Sequence, residues 1–317
     1  MQIGRLLAAS LALATLVFGI RCPGQEPAKK VRILGVGNSF TQNATTYLTE
    51  IIKADPSLSA DVGVAYIGGC SLERHTVVAK ANEANPDDPK GKAYNYVLNA
   101  KTVKKSVSLK DILQDGPWDH ITIQQVSTGS WKEETFYPYA RELVDYLKRY
   151  APDATIVVHE TWSHRIGCPR TKQWKMSPEE MYEKLHANYA KIAGELSAQV
   201  IPVGTAFENA KKLPLWQYEP PADFDPATLV YPNLPDQSKS IHYGYSWQTD
   251  PKDKGKKVLR MDGFHAGRPG QFLGGLVWYE FFFHKDARAN PFLPAKMTEE
   301  EAKSLREVAH QTMEAAR

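Results

Sequence analysis

Five short apolar runs, at residues 31–36, 61–67, 119–125, 154–159 and 200–203, constrain this 317-residue chain most. Between them, residues 43–54, 106–113, 133–150 and 178–197 carry apolar side chains at helical spacing. A strand followed by a helix, repeated, predicts a parallel sheet covered on both faces. Its crossovers are right-handed by the usual chirality of such connections. Residues 81–92 are polar and read as a surface excursion. Further on, residues 269–283 and 297–316 resume a helical pattern, the second opened by the capping-box spacing of Thr298 and Glu301.

Composition narrows the function classes. The chain is 42% apolar, enough for a globular core of one large or two small domains. A net charge of +3 is too small to imply nucleic-acid binding. Lysine clusters at 101–105 and 252–257 lack interleaved aromatics and read as solvated loop or helix surface. Residues 1–24 read as a signal peptide: a basic start, an apolar stretch through Ile20, then a polar segment. That apolar core is short for a stable membrane span, and no second long run follows. Arg21 directly before Cys22 argues against a lipoprotein. The expectation is a secreted or periplasmic bacterial protein. Cys70 and Cys168 could pair there, or remain two buried thiols.

The main domain is expected over 31–290, with a C-terminal helix at 291–317 packed on it. Residues 207–260 break the rhythm and read as a loop-rich insertion. Its aromatics, among them Trp216, Tyr218, Tyr231 and Trp247, are numerous for a linker. They read either as platforms beside a sugar or as pins holding loops to the body, and the second reading is preferred.

Ligands of open parallel sheets bind beyond the C-terminal strand ends. Polar residues fall at such ends: Asn38 and Ser39, Gly68 and Gly69, Gln124 and Gln125, then Glu160 and Trp162. Ser39 opens a helix, where free N–H groups can hold a developing oxyanion, and Gly69 and Gln125 could add donors. Alone, Ser39 reads as a cap or turn serine. Asp262 and His265 change that, because a carboxylate can orient an imidazole whose other nitrogen activates a serine. His159, Glu160 and His164 lack the spacing of a zinc site, so no metal is expected. Gly35 and Gly37 lack the remainder of a dinucleotide fingerprint, so no cofactor is expected either.

Gly37-Asn38-Ser39-Phe40-Thr41 and Asp262-Gly263-Phe264-His265, with Gly270 and Leu276-Val277-Trp278-Tyr279, resemble the first and last blocks of the SGNH (GDSL-like) hydrolase superfamily, in particular its DUF4886 branch. The resemblance implies a flavodoxin-like three-layer α/β/α sandwich with about five parallel strands. It implies Ser39 as nucleophile, His265 as general base and Asp262 as its orienter. The oxyanion hole would be Ser39, Gly69 and Gln125, the last standing where the family offers an asparagine. Asn38, Gly68, Gln124, Glu160, Trp162 and Trp247 are the candidate substrate contacts. The implied activity is hydrolysis of O-acyl, chiefly O-acetyl, esters of a carbohydrate. A lipid or long-acyl esterase on the same residues, or a non-catalytic glycan-binding protein, is the alternative.

Overall fold

A computed structural model describes residues 30–222 and 224–317; the predicted signal peptide and Cys22 lie outside these described residues. In chain order the elements are β1 (Val31–Gly37), α1 (Ser39–Ala44), α2 (Leu48–Lys53), β2 (Ala60–Tyr66), α3 (Leu72–Ala84), β3 (Tyr94–Leu98), β4 (Lys101–Val107), α4 (Leu109–Leu113), β5 (His120–Ile123), α5 (Tyr139–Tyr150), β6 (Thr155–His159), α6 (Pro169–Trp174), α7 (Pro178–Leu196), β7 (Gln199–Ile201), α8 (Val203–Lys211), β8 (Tyr245–Thr249), β9 (Lys257–Met261), α9 (Arg268–Phe283) and α10 (Glu299–Ala315).

The central sheet has seven strands in the order β4-β3-β2-β1-β5-β6-β7. All five expected strands are present, and β2, β1, β5, β6 and β7 pair in parallel. The expected count of about five is corrected by an antiparallel hairpin, β3–β4, added beyond β2. Its turn residues Asn99 and Ala100 both have positive φ, 48° and 63°, as a tight two-residue hairpin turn requires. Strand β4 is almost wholly exposed and carries Lys101, Lys104 and Lys105. Lysines on an outer strand block edge-to-edge pairing, so this cluster is solvated strand rather than loop or helix.

Helices cover both faces. One core cluster includes residues of α1, α2, α8, α9 and α10, the other residues of α3, α4, α5 and α7. The helix expected over 43–54 is two short helices. Between them, Thr45 and Thr46 turn their hydroxyls back onto the carbonyls of Thr41 and Gln42, at 2.9 Å each. Such local bonds compete with helix continuation.

Helix α9 is apolar nearly all round and buried for most of its length. A Cβ on Gly274 would come within 3.0 Å of the Ala44 backbone, so glycine is what lets α9 approach α1 this closely. The region after α8 is not featureless: β8 and β9 form a two-stranded antiparallel ribbon. Cys70 and Cys168 are free and buried, which resolves the open pairing. Burial pushes the Cys70 thiol up to about 12, leaving it unreactive. Among the described residues, no helix is long and apolar enough to cross a membrane.

Candidate active site

Ser39 stands where β1 hands over to α1, at the C-terminal rim of the parallel strands. Asn38 builds this corner. Its Oδ1 caps α1 by accepting the Phe40 N–H at 3.0 Å and also accepts from Gln124 Nε2 at 2.8 Å. Its Nδ2 donates to the Cys70 carbonyl at 2.9 Å. Gln124 Oε1 in turn accepts the Thr41 hydroxyl at 2.6 Å. These fully paired, buried amides lock together the turns after β1, β2 and β5. The Ser39 N–H, at the first position of the helix, has no acceptor among the described residues. The Gly69 N–H is likewise without one, and its φ of +59° is a conformation that favours glycine.

His265 reaches Ser39 across 226 positions of sequence. Helix α9 begins three residues after His265, and its packing on α1 carries the histidine to the serine. The Ala266 N–H donates to Asn43 Oδ1 at 3.1 Å, pinning the two segments directly. On the other side the ribbon holds the turn: Asp262 N–H donates to the Gly244 carbonyl at 3.0 Å, and Tyr243 N–H to the His265 carbonyl at 2.9 Å.

Asp262 Oδ2 lies 2.8 Å from His265 Nδ1, and His265 Nε2 lies 2.7 Å from Ser39 Oγ. Burial alone would raise the Asp262 carboxyl. Hydrogen bonds from the His265 ring and from the backbone N–H groups of His265 and Phe264 outweigh it and hold the group below its ordinary value. An ionised carboxylate only accepts, so Nδ1 donates to it, and in the neutral ring this leaves Nε2 to accept from the Ser39 hydroxyl. A neutral imidazole held this way can take a hydroxyl proton as the oxygen attacks an electrophile.

Ser39 and His265 open into a cavity of about 340 Å³, also lined by Tyr66, Gly69, Ser127, Thr128, Arg170 and Phe264. The Ser127 and Thr128 hydroxyls have no hydrogen-bond partner among the described residues. Both residues follow β5 closely, so the strand-end rule that singled out Gln124 and Gln125 could have reached them. Arg170 had no such signal.

Several expected contacts lie elsewhere. Gln125 is corrected most sharply. Its Oε1 accepts the N–H groups of Leu72 at 3.1 Å and Val126 at 2.8 Å. Its Nε2 donates to the Thr135 carbonyl at 2.7 Å and hydroxyl at 3.2 Å. The amide is consumed in bracing loops and has no donor left for a substrate. Gln124 is buried behind Asn38 and positions it rather than lining the cavity. Gly68 is exposed beside the cavity, its carbonyl accepting from Arg74 at 3.4 Å. Glu160 turns toward α8, where its Oε1 accepts the N–H and hydroxyl of Thr205 at 2.6 and 2.9 Å. Trp162 is fully buried, stacked between Phe40 and Phe207 at 4.4 and 4.5 Å, so it supports the site from behind. Trp247 belongs to the ribbon, edge-on to Tyr231 and bonded to the Asn233 carbonyl.

His159 and His164 are core histidines. Burial depresses each to about 3. Among the described residues the group with convergent ligand atoms is Glu280, His310 and Glu314, on α9 and α10. Arg317 already lies 3.6 Å from Glu280 there.

Fold and site together define a mixed α/β protein in which a hydroxyl at the end of a parallel strand meets an imidazole and a carboxylate from the turn before α9 in one hydrogen-bonded line. The chain belongs to the DUF4886 family, a domain of unknown function whose family model matches residues 32–216. It is similar to a DUF4886 family protein from Bacteroides uniformis, with 24% identity, a TM-score of 0.69, and coverage of 90% of this chain and 95% of that one. It is also similar to a candidate SGNH hydrolase from Slackia heliotrinireducens, with 21% identity, a TM-score of 0.44, and coverage of 79% and 98%. A candidate GDSL-like lipase from Parabacteroides merdae gives 15% identity, a TM-score of 0.44, and coverage of 79% and 94%. No curated protein sequence matches the chain.

Proposed function

We propose that the protein is an exported serine esterase of the SGNH type that removes short acyl groups, chiefly acetyl, from a carbohydrate. The observation that carries this reading is the unbroken line Asp262–His265–Ser39, with heavy-atom separations of 2.8 and 2.7 Å. A glycan-binding protein without chemistry has no need of a hydroxyl held at hydrogen-bond distance from an oriented base.

The reaction runs in two steps. His265 Nε2 takes the Ser39 proton while Oγ attacks the ester carbonyl, and the Asp262 carboxylate stabilises the imidazolium. The oxyanion is received by the free N–H groups of Ser39 and Gly69. In place of Gln125, the unpaired hydroxyls of Ser127 and Thr128 supply the side-chain donor. One such donor contributes about 3 kcal/mol in the transition state. Collapse expels the alcohol, which takes its proton from His265. Water then attacks the acyl-serine by the same route, releasing the acid. A cavity of about 340 Å³ suits one sugar ring with a short acyl group better than a long chain. The leader-like residues 1–24 support export.

The test is hydrolysis of p-nitrophenyl acetate by the purified protein. The wild type cleaves it, and Ser39→Ala lowers kcat by about 10⁴-fold or more. Equal activity in the variant contradicts the assignment.

A further inference from the structure

The cavity contains one feature that ester hydrolysis alone does not require. Arg170, in α6, lies over the Phe264 ring with its guanidinium carbon 3.9 Å from the ring centre. Phe264 in turn lies against the His265 ring, at 4.3 Å between centroids. The guanidinium and the imidazole therefore both pack against the Phe264 ring. Arg32, Arg149, Arg288, Arg306 and Arg317 each have a carboxylate partner, but Arg170 has neither an ion pair nor a hydrogen bond among the described residues. No residue lining the cavity carries a carboxylate. Asp262 nearby is engaged by His265 and two backbone N–H groups. At the adjacent glycine turn, the Arg74 guanidinium is also without an ion pair among the described residues and donates only to the Gly68 carbonyl.

We propose that the substrate carries a carboxylate which Arg170 binds, so that the preferred ester is one on an acidic sugar rather than a neutral one. Packing on Phe264 holds the guanidinium at the cavity, and with no partner among the described residues its N–H groups are available to take a carboxylate through two parallel bonds. An anion at Arg170 also offsets a positive charge beside the imidazole that must itself become positive during the reaction. The inference rests on the esterase reading and assigns its substrate class.

The experiment compares methyl glucuronide with methyl glucoside as inhibitors of p-nitrophenyl acetate hydrolysis. The two differ by a carboxylate against a hydroxymethyl group. The glucuronide is expected to inhibit at a concentration at least about tenfold lower. Arg170→Gln should bring the two inhibition constants within about threefold of each other. In the wild type, raising the salt concentration should weaken the glucuronide and leave the glucoside unchanged. Equal inhibition by the two sugars, absence of inhibition by both, or a preference that survives in Arg170→Gln overturns the proposal. Failure of the wild type to hydrolyse p-nitrophenyl acetate at all defeats the esterase reading instead, so the two failures are distinct.

Discussion

The turn at 262–265 and the long segment between α8 and β9 are separated in sequence only by β9 and differ in how they are held. The turn is clamped on two sides, by α9 docked on α1 and by backbone bonds to Tyr243 and Gly244. The segment before it is aromatic-rich, yet none of its side chains lines the Ser39 cavity. Trp216 is buried in the core, Tyr218 lies against the Arg165 guanidinium at 4.1 Å, and Trp247 meets Tyr231. Its aromatics pin loops to the body, and the ribbon delivers the turn. The abundant aromatics here belong to scaffolding, and the Ser39–His265–Asp262 line is built from a few polar residues at element ends.

Substitutions can break this contrast. Asp262→Asn keeps an oxygen for the Phe264 and His265 N–H groups, so the turn should persist. The amide favours the wrong imidazole tautomer, and kcat for p-nitrophenyl acetate should fall by about 10²- to 10⁴-fold. A change below about threefold would mean that the turn is only structural. Trp247→Ala, in the scaffolding region, should alter kcat/KM for the same ester by less than about twofold, because its side chain meets Tyr231 and the Asn233 carbonyl and does not line the cavity. A tenfold loss there would bring the insertion into the site.

The five parallel strands were legible because buried strands read as continuous apolar runs. The β3–β4 hairpin was not, for three physical reasons. Its outer strand buries almost nothing, its lysines mimic a solvated loop, and its turn uses Asn99-Ala100 where a glycine would have announced the bend. Ser39 was reached from its place at the end of β1, and Asp262 and His265 from their chemical type and three-residue spacing before a helix; in the fold the three side chains meet. Gln125 was misread because position alone does not say where an amide points. Thr135 captures the Nε2 end of the side chain, and the N–H groups of Leu72 and Val126 capture the Oε1 end. Arg170 was invisible because its significance lies in a stack on Phe264 and in a missing carboxylate, neither of which leaves a spacing in the sequence.

Labelling with a fluorophosphonate tests whether His265 activates the Ser39 hydroxyl, without knowledge of the substrate. Rapid covalent modification of the wild type at Ser39 is expected, with none in Ser39→Ala and strongly slowed labelling in His265→Ala. An unlabelled wild type, or equal labelling of Ser39→Ala, would contradict that activation.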